Sequence, residues 1–363
     1  MKILIPILGF GRAGGYRVLS KLADELIHLG HSVDFLCTYK SENPYFPTRA
    51  AIKWIGEKGL ITENKRDFVK KDNALSIQKN LIKALRKIRK DDYDVIIANH
   101  SLTTLPIKKA GLINKTLYYV QAYEPDFYIL SGGLKSKILV YLSGLSYKMN
   151  LFTVVNAEIY LKYKKLTASK ILYPGIDFKL FYQKEKKSSD EINNKLIIGT
   201  VGRAEPYKGT VYIVEAYKKL KNKYPYVQLH VAFGNPGDFK NEKGIFCFQP
   251  HGDEELGNFY RSLDYYICAG YVQLGAFHYP VVEAMSCGIP VITTSYYPAS
   301  DYNAWLIEPR SVEQIVSAFE SAQSDPTLKE KKVLKALNDV KQFEWAKVGK
   351  QLNNYIEELV NSQ

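Results

Sequence analysis

Residues 264–294, DYYICAGYVQLGAFHYPVVEAMSCGIPVITT, decide the fold class of this chain. The aromatic and apolar run at residues 265–269 predicts a buried strand that ends at a glycine. Pro280 then begins a helix at a position where its missing N–H costs nothing, and Gly288 ends that helix. The β-branched run at residues 289–293 predicts a second buried strand. A strand, a helix and a strand in this order are the repeating unit of an α/β fold with parallel strands.

That helix carries a carboxylate, Glu283, in its first turn and a half. The start of such a helix lies near the carboxyl ends of the parallel strands, where open α/β sheets bind their ligands. Glu283 is therefore a candidate binding residue, because its carboxylate can accept hydrogen bonds from the two hydroxyls of a ribose.

The length and composition indicate a folded protein of two domains. A chain of 363 residues exceeds one ordinary core and fits two domains of roughly 150–200 residues each. No run of about 18 uninterrupted apolar residues is present, and the start, MKILIPILGFGR, is interpreted as a first strand rather than a signal peptide. The four cysteines are scattered without a C-x-x-C pair, which favours reduced core thiols in a cytosolic protein and no metal site.

Positive charge is concentrated in the first half of the chain. Residues 1–180 contain 29 Lys and Arg against 15 Asp and Glu, a net charge of +14, whereas the whole chain carries +13. This asymmetry indicates an anionic partner: membrane headgroups, a lipid pyrophosphate or nucleic acid. Nucleic acid is disfavoured, because the basic residues are not interleaved with a known reader motif. The basic amphipathic helix predicted at residues 72–90 is either a membrane-surface helix or an ordinary packing helix with a solvated face.

A glycine-rich loop follows the first predicted strand. Residues 9–15, GFGRAGG, match G-x-G-x-x-G between a strand and a helix, but no acidic residue closes the second strand, which disfavours NAD. Backbone N–H groups at such a helix N-terminus can hold a phosphate or a developing negative charge. A tight structural turn is the alternative.

Polar and aromatic side chains follow two later strands of the first half. His100 comes after the strand predicted at residues 94–99, and the segment QAYEPDFY at residues 121–128 comes after the strand predicted at residues 117–120. This segment suits sugar binding, because rings stack on sugar faces and carboxylates accept hydrogen bonds from hydroxyls. A loop packed for its own sake is the alternative.

A second anion site is predicted in the second half. Residues 202–209, GRAEPYKG, form a tight loop between a predicted strand and a predicted helix, and they include Arg203 and Lys208. Arginine can donate two hydrogen bonds to two phosphate oxygens, and lysine contributes a compact positive charge. N–H groups at the helix N-terminus would complete a diphosphate site. A solvated pair of loop charges is the alternative, which the coincidence with Glu283 disfavours.

Taken in order, these motifs resemble those of the retaining GT-B glycosyltransferases known as group 1 or family 4. The resemblance covers nearly the whole chain and rests on Gly14-Gly15, residues 174–181 (P-x-G-[VI]-D…F), residues 202–209 (G-R…K-G), residues 280–292 (P-x-x-E-A-M-x-x-G-x-P-V-I) and Trp345. It implies an α/β GT-B fold, in which two doubly wound Rossmann-like domains face each other across a cleft. The expected boundaries are residues 1–182 for an acceptor-binding domain, 183–195 for a polar linker, 196–342 for a nucleotide-sugar-binding domain and 343–363 for a helix that crosses back to the first domain.

The resemblance implies a retaining, metal-independent transfer from a UDP-, GDP- or dTDP-linked sugar, with no resident cofactor. By this likeness Arg203 and Lys208 hold the donor diphosphate and Glu283 binds the ribose, so catalysis is electrostatic stabilisation of the departing diphosphate. The other expected donor contacts are Gly14, Gly15, Gly202, Gly275, Ala276, Phe277, His278, Pro250 and His251. The expected acceptor contacts are Arg12, His100, Gln121, Tyr123 and Glu124.

Two residues depart from the family pattern. Gly275 stands where the first glutamate of a Glu-x7-Glu motif is usual, which alters the donor-sugar pocket; backbone N–H groups of residues 275–277, His278 or Gln273 are candidates to replace it. Gln121 stands where many relatives carry a histidine, and the run YVQAYEP at residues 119–125 resembles a bacterial subgroup that includes rhamnosyltransferases of surface polysaccharides. A deoxysugar donor such as dTDP-rhamnose is the hypothesis that follows.

The sequence as a whole favours a cytoplasmic glycosyltransferase, peripheral at the inner face of the membrane, that builds a surface polysaccharide on a lipid-linked acceptor. Its basic first domain is expected to meet the anionic membrane surface. Two alternatives are a nucleotide-sugar epimerase of the same two-domain plan, which needs no acceptor, and a non-catalytic sugar-nucleotide-binding protein left by loss of the first glutamate.

Overall fold

The computed structural model describes residues 1–65, 74–89, 91–168, 170–183, 195–202, 204–239 and 242–362. The chain divides into two units, one formed by Met1–Gly175 with Trp345–Gln363 and the other by Ile176–Glu344. The first unit therefore ends at Gly175, before the boundary at residue 182 expected from the sequence. Of the linker expected at residues 183–195, all but the two end residues lie outside the described residues.

The first unit is built on a sheet that is parallel except at one edge. Among the described residues it has eight strands in the order β4-β3-β2-β1-β5-β6-β7-β8, and only the β3–β4 pair is antiparallel. The adjacent interior strands β5 and β6 are buried at every residue, which explains their largely apolar sequences. The strands are β1 (Lys2–Pro6), β2 (Ser32–Thr38), β3 (Ala51–Ile55), β4 (Ile61–Thr62), β5 (Val95–Ala98), β6 (Thr116–Val120), β7 (Phe152–Val155) and β8 (Lys170–Ile171).

Helices connect these strands, and several differ from the sequence prediction. They are α1 (Gly14–His28), α2 (Ala74–Lys87), α3 (Ser101–Lys109), α4 (Glu124–Ser131) and α5 (Gly133–Ser146). The segment at residues 121–128 was expected to be a loop, but it becomes helical at Glu124 because Pro125 occupies the first turn, where its missing N–H costs nothing. The elements α3, β3 and β4 are not predicted by the sequence, because they are short and lack a clear period.

The basic helix α2 is an ordinary packing helix. Its apolar residues Leu81 and Leu85 are 2% and 0% exposed, so its apolar side is already covered by the first unit. Lys79, Lys83 and Arg86 lie on the exposed side. Of the two interpretations of this helix, the described residues favour the solvated face.

The second unit carries a wholly parallel sheet of six strands among its described residues, in the order β11-β10-β9-β12-β13-β14. The strands are β9 (Leu196–Val201), β10 (Val227–Ala232), β11 (Ile245–Phe248), β12 (Tyr265–Cys268), β13 (Val291–Thr293) and β14 (Trp305–Leu306). The helices are α6 (Thr210–Lys223), α7 (Gly252–Arg261), α8 (Tyr279–Ser286), α9 (Val312–Ser324) and α10 (Pro326–Val340). The strand–helix–strand unit predicted at residues 264–294 is therefore present as β12, α8 and β13.

The final helix, α11 (Trp345–Asn361), belongs to the first unit, where it packs on α1. A Cβ atom at Gly349 would overlap the side chain of Glu25, so only glycine allows this approach. His31 Nε2 lies 2.7 Å from Asn353 Oδ1 across the same contact. None of the described helices combines the length and the apolar character needed to cross a membrane.

Candidate active site

The loop after β9 is held tightly against the end of β12. Gly209 adopts a left-handed conformation with φ of 75°, and a Cβ atom there would overlap the carbonyl oxygen of Ala269. The backbone N–H of Tyr271 donates a 3.0 Å hydrogen bond to the carbonyl oxygen of Tyr207. At the start of the loop a Cβ atom on Gly202 would overlap Val231. Glycines at both ends thus let the loop lie close to its neighbours.

Lys208 is positioned by this loop. It ends a short 3₁₀ turn, Pro206–Lys208, and its backbone N–H donates to the carbonyl oxygen of Glu205 at 2.9 Å. Burial raises the pKa of the Cys268 thiol, and the nearby Lys208 ammonium opposes that rise, so this cation lies close to the end of β12. The N-terminus of α6 lies at the same end of the sheet, where its dipole favours an anion. Arg203, the other expected cation, lies outside the described residues.

Glu283 is buried inside the second unit. Its residue is 1% exposed, and its Oε2 accepts a 2.9 Å hydrogen bond from the hydroxyl of Tyr260 on α7. Burial raises the pKa of the Tyr260 phenol well above its ordinary value, and the charge of Glu283 raises it further. Tyr260 therefore stays protonated and donates. Tyr260 is not predictable as a site residue from the sequence, since nothing in its local pattern pairs it with a residue on another helix.

The loop that lacks the first glutamate uses its own backbone donors. The N–H of Gly275 donates to the carbonyl oxygen of Ser295 at 2.7 Å, and the N–H of Ala276 donates to that of Gln273 at 2.9 Å. Gly275 and Gln273 both have positive φ, at 88° and 53°. These two N–H groups already donate hydrogen bonds within the second unit, so they are not available to bind the donor sugar in place of the missing carboxylate.

His278 closes the same loop as the N-cap residue of α8. Its ring stacks on Tyr296 with centroids 4.3 Å apart, and its Nδ1 lies 3.8 Å from the Sγ of Cys268. Its backbone N–H lies 3.4 Å from the carbonyl oxygen of Tyr297. His278 is therefore oriented by packing at the carboxyl end of β12.

The other expected donor residues of the second unit are dispersed. The ring of Phe277 packs on that of Phe343, with centroids 5.1 Å apart, and so belongs to an aromatic cluster. Pro250 is buried, and His251 is exposed at the N-cap of α7. Both follow β11, an edge strand two places from β9.

In the first unit the glycine loop meets the residue after β6. A Cβ atom on Gly15 would lie 3.2 Å from Oε1 of Gln121, so the side chain of Gln121 rests on the start of α1. Gly14 is the first residue of that helix. Arg12 is exposed, with its guanidinium carbon 5.1 Å from the ring centroid of Tyr45. Gly15 and Gln121 are thus brought together, as expected for the adjacent carboxyl ends of β1, β5 and β6.

A polar network lies beside this contact. The carboxylate of Glu124 accepts hydrogen bonds from the backbone N–H of Ser101 at 2.8 Å and from its hydroxyl at 2.5 Å. His100 Nδ1 accepts from the N–H of Leu102 at 3.0 Å, which leaves the ring proton on Nε2, 3.5 Å from Oε2 of Glu124. The hydroxyl of Tyr128 lies 3.3 Å from both Oε2 of Glu124 and Nε2 of His100. The sequence indicated His100, Glu124 and the segment that contains Tyr128, but not Ser101.

Tyr123 is part of the core. It is 8% exposed, and its ring packs against those of Tyr147 and Tyr163, with centroid distances of 5.3 Å and 4.2 Å. Of the two interpretations of residues 121–128, internal packing describes Tyr123. Gln121 and Glu124 are both partly exposed.

Comparison with known proteins finds a family resemblance in the second unit. Residues 181–338, less than half of the chain, match the family model described as glycosyl transferases group 1. The chain is a glycosyltransferase that is similar to group 1 over these residues. This glycosyltransferase is 23% identical over 343 residues to an uncharacterized glycosyltransferase of Haemophilus influenzae, a match that covers 90% of this chain and 92% of the relative. Its enzyme class is therefore that of the transferases.

Solved structures show the fold of the glycosyltransferase. A sucrose-phosphate synthase from Thermosynechococcus elongatus matches with a TM-score of 0.78 at 14% identity, over all of both chains. The Anabaena protein HepE, solved in complex with UDP-glucose, matches with a TM-score of 0.69 at 15% identity, again over all of both chains. The expected GT-B fold with two Rossmann-like units is confirmed.

Proposed function

We propose that this glycosyltransferase moves a hexose or deoxyhexose from a nucleotide sugar to a glycan acceptor, with retention of configuration and without a metal ion. The observation that carries the proposal is the loop after β9, which is locked against Ala269 by Gly209 and holds Lys208 beside the N-terminus of α6. A fixed cation at a helix N-terminus fits a diphosphate. The likeness to HepE, which was solved with UDP-glucose, supports a nucleotide sugar as donor.

Transfer in this scheme is electrostatic. The bond between the anomeric carbon and the diphosphate oxygen breaks, and a bond forms between that carbon and the acceptor oxygen on the same face of the sugar. The acceptor proton passes to the leaving phosphate oxygen, so no side chain is required as a base. Lys208, the α6 N-terminus and Arg203 are proposed to stabilise the charge that develops on the diphosphate.

Glu283 is proposed to bind the ribose. Its carboxylate is held by Tyr260 in a buried place, where a hydrogen bond from a ribose hydroxyl is stronger than it would be in water. The ribose contact is proposed to contribute to both the affinity for the donor and its orientation.

The acceptor is proposed to be lipid-linked and to meet the first unit at the cytoplasmic face of the membrane, in the synthesis of a surface polysaccharide. Gln121, His100 and Glu124 supply partly exposed polar groups at one end of the sheet. The positive charge of residues 1–180 supports an acceptor that carries a lipid pyrophosphate. A deoxysugar donor such as dTDP-rhamnose remains the more specific hypothesis.

The test is a panel of UDP-, GDP- and dTDP-sugars. Calorimetric titration ranks the donors, and incubation with the lipid-linked glycan intermediates of the host, read by mass spectrometry, detects transfer. NMR of the product then gives its anomeric configuration. We expect transfer with retention; an inverted product contradicts the mechanism, and tight binding of UDP-glucose with none of dTDP-rhamnose removes the deoxysugar hypothesis.

Two outcomes would replace the proposal. Conversion of the donor sugar without any acceptor would identify an epimerase. Tight nucleotide-sugar binding with no turnover on any acceptor would identify a non-catalytic binding protein.

A further inference from the structure

The helix α5 buries small polar residues and leaves several large apolar residues exposed. Its buried residues are three serines, Ser136, Ser143 and Ser146. Large apolar residues of α4 and α5 are exposed instead: Ile129 (64%), Leu130 (54%), Leu134 (77%), Ile138 (52%) and Tyr141 (67%). Single exposed apolar residues are common on protein surfaces, but five on one helical hairpin form a patch of the kind that marks an interaction site.

The inward serines fix this orientation. The hydroxyl of Ser143 donates to the carbonyl oxygen of Leu139 at 2.8 Å, and that of Ser146 donates to the carbonyl oxygen of Ser143 at 2.7 Å. Ser146 also lies 3.5 Å from the hydroxyl of Tyr118 on the central strand β6. The hydroxyl groups of Ser143 and Ser146, on the buried face of α5, therefore donate hydrogen bonds to carbonyl oxygens of the same helix. The exposed residues Leu134, Ile138 and Tyr141 therefore lie away from the serine face that packs toward β6.

The charge around the patch favours an anionic lipid surface over a protein partner of mixed charge. No Asp or Glu occurs between Asp126 and Glu158, whereas Lys135, Lys137 and Lys148 all fall in this interval and are exposed. An apolar face with lysines along it fits the boundary between lipid headgroups and acyl chains, because the apolar side chains enter the bilayer and the ammonium groups meet the phosphates.

We propose that the α4–α5 hairpin (Glu124–Ser131 and Gly133–Ser146) inserts its exposed apolar residues into an anionic bilayer. This inference rests on the proposed lipid-linked acceptor and assigns the membrane contact to a particular element. The helix α2, whose residues Leu81 and Leu85 are buried, offers charge without an insertable face among its described side chains. Because α4 begins at Glu124, which is bonded to Ser101, the hairpin places the candidate acceptor residues next to the lipid surface.

Vesicle flotation with the full chain tests the inference. Vesicles of phosphatidylcholine alone are compared with vesicles containing about one third phosphatidylglycerol, and we expect binding mainly to the second. The double variant Leu134→Glu/Ile138→Glu is expected to weaken that binding at least tenfold, because it removes two apolar side chains and adds two negative charges. Lys135→Gln and Lys137→Gln are each expected to weaken it about fivefold, only on the anionic vesicles.

The matched control is Leu334→Glu on α10, since Leu334 is 58% exposed but lies in the second unit. It is expected to bind vesicles like the parent protein. Equal binding by the parent and the double variant, or no binding of the parent to anionic vesicles, would overturn the inference. So would a dimer in light scattering that the double variant abolishes, because a second copy would then cover the patch.

A second assay keeps this inference separate from the proposed function. With a water-soluble acceptor analogue and no vesicles, the double variant is expected to transfer sugar as fast as the parent protein, because its substitutions lie outside the proposed donor and acceptor contacts. If the parent binds vesicles through the hairpin but transfers sugar to no acceptor, the proposed function fails while the membrane contact stands. If the parent protein transfers sugar but does not bind vesicles, the membrane contact fails while the proposed function stands.

Discussion

The hydroxyl of Tyr260 donates a 2.9 Å hydrogen bond to the carboxylate of Glu283, and the two residues are 0% and 1% exposed. This bond joins α7 to α8, the helix that carries the strongest sequence motif of the chain. A buried carboxylate needs hydrogen-bond donors to remain charged. The proposed ribose-binding group is therefore held in place by a residue that contacts no substrate in the proposed scheme.

Replacing Tyr260 by phenylalanine is expected to lower the free energy of unfolding by about 1–3 kcal/mol, because Glu283 loses a donor that water does not replace. The same variant should raise the dissociation constant of the nucleoside diphosphate, measured by calorimetry. Tyr217→Phe is the matched control, since the Tyr217 hydroxyl donates to the carbonyl oxygen of Lys243 rather than to a charge. Equal stability losses in the two variants would mean that the Glu283 contact has no special weight.

Replacing Lys208 by alanine is expected to lower kcat/KM roughly 10²–10³-fold, the usual effect of removing one group that stabilises a developing anion. The fold should persist, because Lys208 lies in a loop and its backbone contacts remain. Lys331→Ala, at an exposed position on α10, removes the same charge elsewhere in the unit and should leave turnover unchanged. Full activity of Lys208→Ala would remove the diphosphate site from this loop.

Substitution of Gly209 and of Gly30 by alanine distinguishes two causes of lost stability. One is the left-handed backbone conformation, and the other is overlap of an added Cβ atom with a neighbouring residue. Both have positive φ, but a Cβ atom on Gly30 meets nothing within 4 Å, whereas one on Gly209 overlaps the carbonyl oxygen of Ala269. Gly30→Ala is expected to cost about 1–2 kcal/mol of unfolding free energy. Gly209→Ala should cost more and should also weaken nucleotide binding. Equal costs, measured by urea unfolding, would show that the loop moves away from β12 freely.

His230 makes the stability of the second unit dependent on pH. Burial lowers its pKa from 6.5 to about 4 in the folded chain, where its ring packs against Phe248 with centroids 4.8 Å apart. Below about pH 6.5, His230 binds a proton in the unfolded chain but not in the folded chain. The free energy of unfolding therefore decreases as the pH falls from about 6.5 to about 4.

His230→Phe should flatten this acid limb in urea midpoints measured between about pH 7 and pH 4.5. The exposed residue His28 provides the comparison, and His28→Gln should keep the pH dependence of the parent protein. An unchanged acid limb in His230→Phe would assign the loss of stability to other groups.

Some elements and site residues were predictable because their signals are local. The strand β9 and the helix α6 flank the loop at residues 202–209 as predicted, since glycines, charged residues and apolar periods mark them along the chain. The loop at residues 202–209 and the helix of Glu283 were recognised for the same reason. Short elements such as β3 and α3 have no such marks, and they were missed.

The sequence by itself determined the alternation of strands and helices, the glycine loops and the place of Lys208, because these follow from spacing and from the conformations that each residue allows. Only the tertiary structure decided that Tyr260 reaches Glu283, that Gln121 rests on Gly15, that Tyr123 is enclosed and that α5 turns its serines inward. Those contacts depend on which elements pack together. Packing brings together residues that are far apart in the sequence, and no local pattern in the sequence indicates which of them will meet.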